Sequence, residues 1–170
     1  YKDFDTVAFD SVFSNTLDSL SKSFINPKTI IAYYSANANE LQLVTNFYTS
    51  GQLDSLLGYL ERSKEHGINP KIFTSDEIKS LLSTLSANKF KKVDESYPII
   101  AKLELLSANA FLNYNNFLKY GLVNPRNIFS RYYIKVKSPD SLGMMKLLAS
   151  ENLVDTLKNA QPKSEQYKGL

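Results

Sequence analysis

The sequence reads as all-α: a single compact multi-helix domain with a long central helix and at most one very short extended segment. Apolar residues recur at helical spacing through most of the chain, helix stop and start signals are paired, and the connections between amphipathic stretches are short. The pairing occurs twice, in His66-Gly67-Ile68-Asn69-Pro70 and in Tyr120-Gly121-Leu122-Val123-Asn124-Pro125. Gly67 and Gly121 suit the left-handed position just past a helix, Ile68 and Leu122 can fold back on the last turn, and Asn then Pro suit the cap and first turn of the next helix. Ile25-Asn26-Pro27 is a weaker copy without the Gly.

Val7, Phe9, Val12, Phe13, Leu17, Leu20 and Phe24 outline a first helix, with Asp3 and Asp5 near its positive end. After Pro27 the short run Ile30, Ile31, Tyr33, Tyr34 is compatible with a helix or an extended segment. Leu41, Leu43, Phe47 and Tyr48 precede a Ser50-Gly51 break. Leu53, Leu56, Leu57 and Leu60 then mark one face of a helix that closes at Gly67. Thr74 and Glu77 have capping-box spacing before Ile78, Leu81, Leu82 and Leu85.

Lys89 to Asp94 reads as a solvated loop. The longest helix is expected from about Asp94 to Tyr120. Ile99, Leu103, Leu106, Ala110, Tyr114 and Phe117 form its apolar stripe, and Lys102, Asn109, Asn113 and Asn116 lie opposite. Pro98 sits early enough in it to be tolerated. Ser138-Pro139-Asp140 opens a helix carrying Leu142, Met145 and Leu148, and Leu153, Val154 and Leu157 fill a last one before Pro162. Tyr132 to Val136 is the one stretch with strand-like alternation.

Composition narrows function. With 170 residues, 43% of them hydrophobic and 12% aromatic, the chain can bury a substantial core without a metal or disulfide staple. A net charge of +3, scattered apart from Lys89, Lys91 and Lys92, is no nucleic-acid footprint. No apolar run reaches transmembrane length. The chain opens on Tyr1 rather than Met, which suggests a processed product or a piece of a longer protein, with any leader or anchor upstream.

Zero cysteines removes a thiol nucleophile, a disulfide framework and thiolate metal ligands together. Ser19 to Lys22 and Ser86 to Lys89 have Ser-x-x-Lys spacing, but Ser and Lys are frequent enough to produce such pairs by chance, and the partner motifs of that enzyme class are missing. His66, the sole imidazole, suits a helix C-terminus better than catalysis. Asp76-Glu77 and Asp94-Glu95 fall at helix starts, where carboxylates complement free backbone donors. No catalytic, metal-binding or cofactor-binding residue is assigned. The couples Tyr33-Tyr34 and Tyr132-Tyr133 are the interface candidates, as stacking platforms or partner surface.

From Leu41 onward the order of features resembles the non-catalytic scaffold domain of large L,D-transpeptidases, a peptidoglycan cross-linking family. The resemblance rests on the leucine helix closing in Gly67, Asn69 and Pro70, the run Leu105-Leu106-Ser107-Ala108-Asn109-Ala110-Phe111-Leu112-Asn113-Tyr114 leading to Gly121, Asn124 and Pro125, and a final Pro162, Tyr167, Leu170 spacing. The family often has Leu-Thr where Leu106-Ser107 stands and Trp where Phe47 aligns.

The resemblance implies that residues 1–170 are one helical scaffold domain, with the catalytic domain, its His and its Ser-x-Gly-Cys motif following Leu170. Such a parent forms a cysteine acyl-enzyme and passes the acyl group to an amine. By the same resemblance the domain is periplasmic, performs no chemistry, uses no cofactor and has its own catalytic domain as partner, with peptidoglycan as a further candidate. The alternative is an autonomous envelope module binding a peptide, protein or glycan beside the long helix.

Overall fold

The computed structural model describes residues 3–121 and 140–161. Eight α-helices occur among them: α1 (Thr6–Ser21), α2 (Pro27–Ala36), α3 (Gln42–Phe47), α4 (Gln52–Glu61), α5 (Ser75–Ala87), α6 (Tyr97–Tyr120), α7 (Ser141–Leu148) and α8 (Leu153–Ala160). No strand occurs among the described residues. The Tyr132–Val136 segment lies outside them.

α6 is the axis of the molecule. All the other α-helices pack against it or against a helix that does. Every residue from Leu103 to Asn116 is buried, so this stretch has no solvent face. Here the expectation is corrected: Asn109, Asn113 and Asn116 do not line a polar exterior but are 5%, 0% and 5% exposed. A helix covered on all sides must satisfy its polar side chains internally, and this one partly does. Asn113 Nδ2 donates to Asn109 Oδ1 at 2.8 Å, and Asn26 Nδ2 donates to Asn113 Oδ1 at 2.9 Å. Asn26 makes no side-chain cap on α2, whose first residue, Pro27, has no N–H to be capped.

α1 forms because Asp5 caps it, accepting from Val7 N and Ala8 N at 3.0 Å each, and because Phe9, Phe13 and Leu17 recur every four residues on the buried face. Val7, expected on that face, is 79% exposed. The start of α1 is pinned to the start of α6: Tyr97 Oη accepts from Asp5 N at 2.7 Å, and Phe9 meets the Tyr97 ring edge-on at 5.5 Å. The ambiguous Ile30–Tyr34 run is helical, and its tyrosines point into the core.

α4 ends in a 3-10 turn, Arg62–His66, closed by Gly67 at φ 75°. Ile68 N returns to Ser63 O at 3.1 Å and Ile68 is buried, which is the expected Gly stop with its hydrophobic contact. Asn69 Oδ1 then accepts from Lys71 N at 3.0 Å. Pro70 opens only a four-residue 3-10 turn, Pro70–Phe73, before α5 starts at Ser75. The Thr74–Glu77 capping box is corrected: Thr74 sits at φ 51° with its hydroxyl on Phe73 O at 2.7 Å, so it cannot reach the α5 amides. On α7 the buried residues are Met144 and Leu148, while Leu142 is 67% exposed.

Candidate functional site

The sequence-nominated positions do not converge. Gly67, Asn69 and Pro70 form the turn just described, far along the chain from Gly121, which ends α6 at φ 87°, ψ 163°. Gly121 has a positive φ but not the left-handed helical ψ expected of it. Asn124, Pro125, Pro162, Tyr167 and Leu170, with Tyr132 and Tyr133, lie outside the described residues. Tyr33 and Tyr34 are corrected as interface candidates. They are 4% and 0% exposed, stacked edge-on with ring centroids 5.2 Å apart, and belong to the core.

Tyr34 leads instead to a buried carboxylate that sequence reasoning missed. Glu104, fully buried on α6, accepts from Tyr34 Oη at 2.7 Å, Gln42 N at 2.9 Å, Leu43 N at 3.0 Å and Val44 N at 2.7 Å. The three amides are the free donors of α3, whose own N-cap residue, Leu41, has no side-chain oxygen to offer. A residue about sixty positions downstream supplies the cap. Burial pushes the Glu104 carboxyl above its ordinary range, and the donors from Leu43, Val44, Tyr34 and Gln42 pull it back only in part. Burial, then the Glu104 charge, push the Tyr34 phenol well above its ordinary range. Through these bonds Glu104 holds α2 and α3 on α6.

A second long-range cap does the same for α8. Gln52 Oε1 on α4 accepts from Leu153 N at 3.0 Å and Val154 N at 3.3 Å, beside the local cap from Asn152 to Asp155 N at 3.0 Å. Tyr33 Oη reaches Leu148 O at 3.3 Å and Gln161 Nε2 reaches Tyr114 Oη at 2.9 Å, so α7 and α8 are tied to the helices laid down before them.

Those ties shape a groove of ≈ 500 Å³ between the end of α6, α7 and α8. From α6 come Asn115, Asn116, Lys119 and Tyr120, from α7 Met144, Lys146 and Leu147, and from α8 Thr156, Asn159 and Ala160. The volume lies within the range of small-molecule sites. Asn116 Nδ2 is buried without an acceptor among the described residues. No group of three or more His, Cys, Asp or Glu suited to a metal occurs among the described residues. No helix among them is long and apolar enough to cross a membrane.

Comparison with curated proteins and with solved structures found no match. A family model described as a scaffold domain matches residues 28–170, which takes in α2 from its second residue and α3 through α8, and leaves out residues 1–27 with α1. The chain therefore belongs to the scaffold-domain family.

Proposed function

We propose that the chain is the non-catalytic scaffold domain of a periplasmic L,D-transpeptidase, supporting or positioning a cysteine catalytic domain that cross-links peptidoglycan. The observation that carries the reading is the family match over residues 28–170. The absence of cysteine from the sequence agrees with a division of labour in which the thiolate comes from another part of the parent. Mechanically, a central helix covered on every side from Leu103 to Asn116 makes a stiff body. Such a body can bury shared apolar surface with a catalytic unit and hold it at a set distance from a polymeric substrate.

The test is to read the frame beyond Leu170 and assay its product. The expected result is a His and a Ser-x-Gly-Cys motif downstream. The full-length parent should then cross-link purified sacculi, with 1–170 alone inactive and the catalytic unit alone impaired. A stop codon directly after Leu170, or cross-linking by 1–170 alone, would sink the reading. Retention of 1–170 on sacculi, lost on changing Tyr132 and Tyr133 to Ala, would favour the autonomous binding module.

A further inference from the structure

We propose that the α6–α7–α8 groove is a binding site for a short peptide bearing a free carboxylate, a reading that stands independently of any attached catalytic domain. Three features select that chemistry. Asn116 is 5% exposed, forms part of the groove wall and has an amide nitrogen with no acceptor among the described residues. An orphaned buried donor costs on the order of 1–3 kcal/mol, a cost that an arriving carbonyl or carboxylate oxygen relieves. The amides of Asn113 and Asn115 on the same helix are both satisfied, on Asn109 Oδ1 at 2.8 Å and Phe111 O at 2.7 Å. Of the two buried polar atoms without a partner among the described residues, Ser107 Oγ and Asn116 Nδ2, only that of Asn116 belongs to a residue lining the groove.

The second feature is charge. Lys119 on α6 and Lys146 on α7 both line the groove and are exposed, with Lys119 Nζ over the Tyr120 ring at 5.4 Å from its centroid. The ion pair recorded among the described residues is elsewhere, Lys79 with Glu61 at 3.6 Å. The one carboxylate in the groove wall, Asp140, is engaged in capping α7 through Gly143 N, where its charge is turned toward the helix terminus. Among the described residues the groove therefore presents two cations and a single carboxylate, which already serves the α7 N-terminus.

The third feature suits a peptide backbone, while the charge of Lys119 and Lys146 is what favours a carboxylate over a neutral sugar. The hydroxyls of Ser150 and Thr156 lie 3.2 Å apart, within hydrogen-bond reach of each other, and reach Leu147 O at 2.8 Å and Asn152 O at 2.9 Å, so their protons are used within the protein and their remaining lone pairs can accept. A peptide N–H donates to such acceptors while its carbonyl meets the Asn116 amide, and Met144, Leu147 and Ala160 supply apolar contact for a small side chain. The volume, ≈ 500 Å³, holds two or three residues.

The test uses the 170-residue chain with ¹⁵N labelling and an acetylated Ala-Ala-Asp tripeptide as probe, against its fully amidated counterpart and a neutral chitin trisaccharide. Saturable shifts at the end of α6, in α7 and in α8, including the Asn116 side-chain amide, are expected for the free acid. Affinity should fall about threefold for each of Lys119→Gln and Lys146→Gln, and the response should weaken with salt. Asn116→Leu should weaken binding while leaving the fold intact, because it removes a group that is unsatisfied in the free protein. Equal binding of the amidated peptide, a response to the trisaccharide alone, or no saturable shift with the free acid would overturn the proposal.

Discussion

The two ends of α6 treat a buried polar group in opposite ways. Near its start Glu104 carries a full set of donors and ties α2 and α3 to the axis. Near its end Asn116 keeps a buried amide nitrogen with no acceptor among the described residues, beside an open groove. Both side chains are at most 5% exposed, so burial does not distinguish them. What differs is the neighbour. The α3 N-terminus brings three free amides and needs an anion, whereas α7 and α8 arrive at the groove with their own termini already capped by Asp140, Asn152 and Gln52. A satisfied polar group holds structure together, and an unsatisfied one at a cleft is available to a ligand.

The contrast is broken most severely at Glu104. Glu104→Ala leaves three amides and the Tyr34 hydroxyl without their acceptor and opens a void, and should lower unfolding free energy by about 4 kcal/mol in urea titration. A loss below about 1 kcal/mol would mean that water or a local shift replaces the carboxylate. Tyr34→Phe removes one donor and leaves the amides in place. Its expected cost is about 1–2 kcal/mol, smaller than that of the alanine change by an amount calorimetry resolves.

Acid sharpens the comparison. Because burial raises the Glu104 pKa in the folded state, its contribution to stability is fully present below the ordinary carboxylate value and is lost as pH rises through the raised one. Thermal midpoints of wild type and Glu104→Gln, followed from pH 4 to pH 8, should therefore differ in slope, the wild type losing more on the way up. Parallel curves would show that the donors cancel desolvation, and a wild type that gains on the way up would show that they outweigh it. The opposite sign is expected at the other end: Asn116→Leu should raise unfolding free energy by about 1 kcal/mol, since it replaces an orphaned buried donor with an apolar group and loses no hydrogen bond of Nδ2.

Much of the helical order was readable from the chain. Leu53, Leu56, Leu57 and Leu60, like Ile78, Leu81 and Leu82, are periodic over distances of a few residues, and helical burial is set at that range. Gly67 was readable for the same reason, since a left-handed residue, the returning Ile68 amide and the buried Ile68 side chain are all local. The polar side of α6 was misread because asparagines at Asn109, Asn113 and Asn116 match the pattern of a solvated face. One signal did point the other way: between Leu105 and Leu118 the helix carries no charged residue, which is unusual for a surface opposite a core.

The sequence by itself determined that the chain would be helical, where most helices would stop and that no cysteine chemistry resides in it, because spacing, punctuation and composition are properties of near neighbours. Only the tertiary structure decided that Tyr33 and Tyr34 are core, that Glu104 caps α3, that Gln52 caps α8 and that Asn116 borders a groove. Each of those pairs or clefts joins residues tens of positions apart, and a hydrogen bond over that distance depends on how helices stack around α6, which no local pattern encodes.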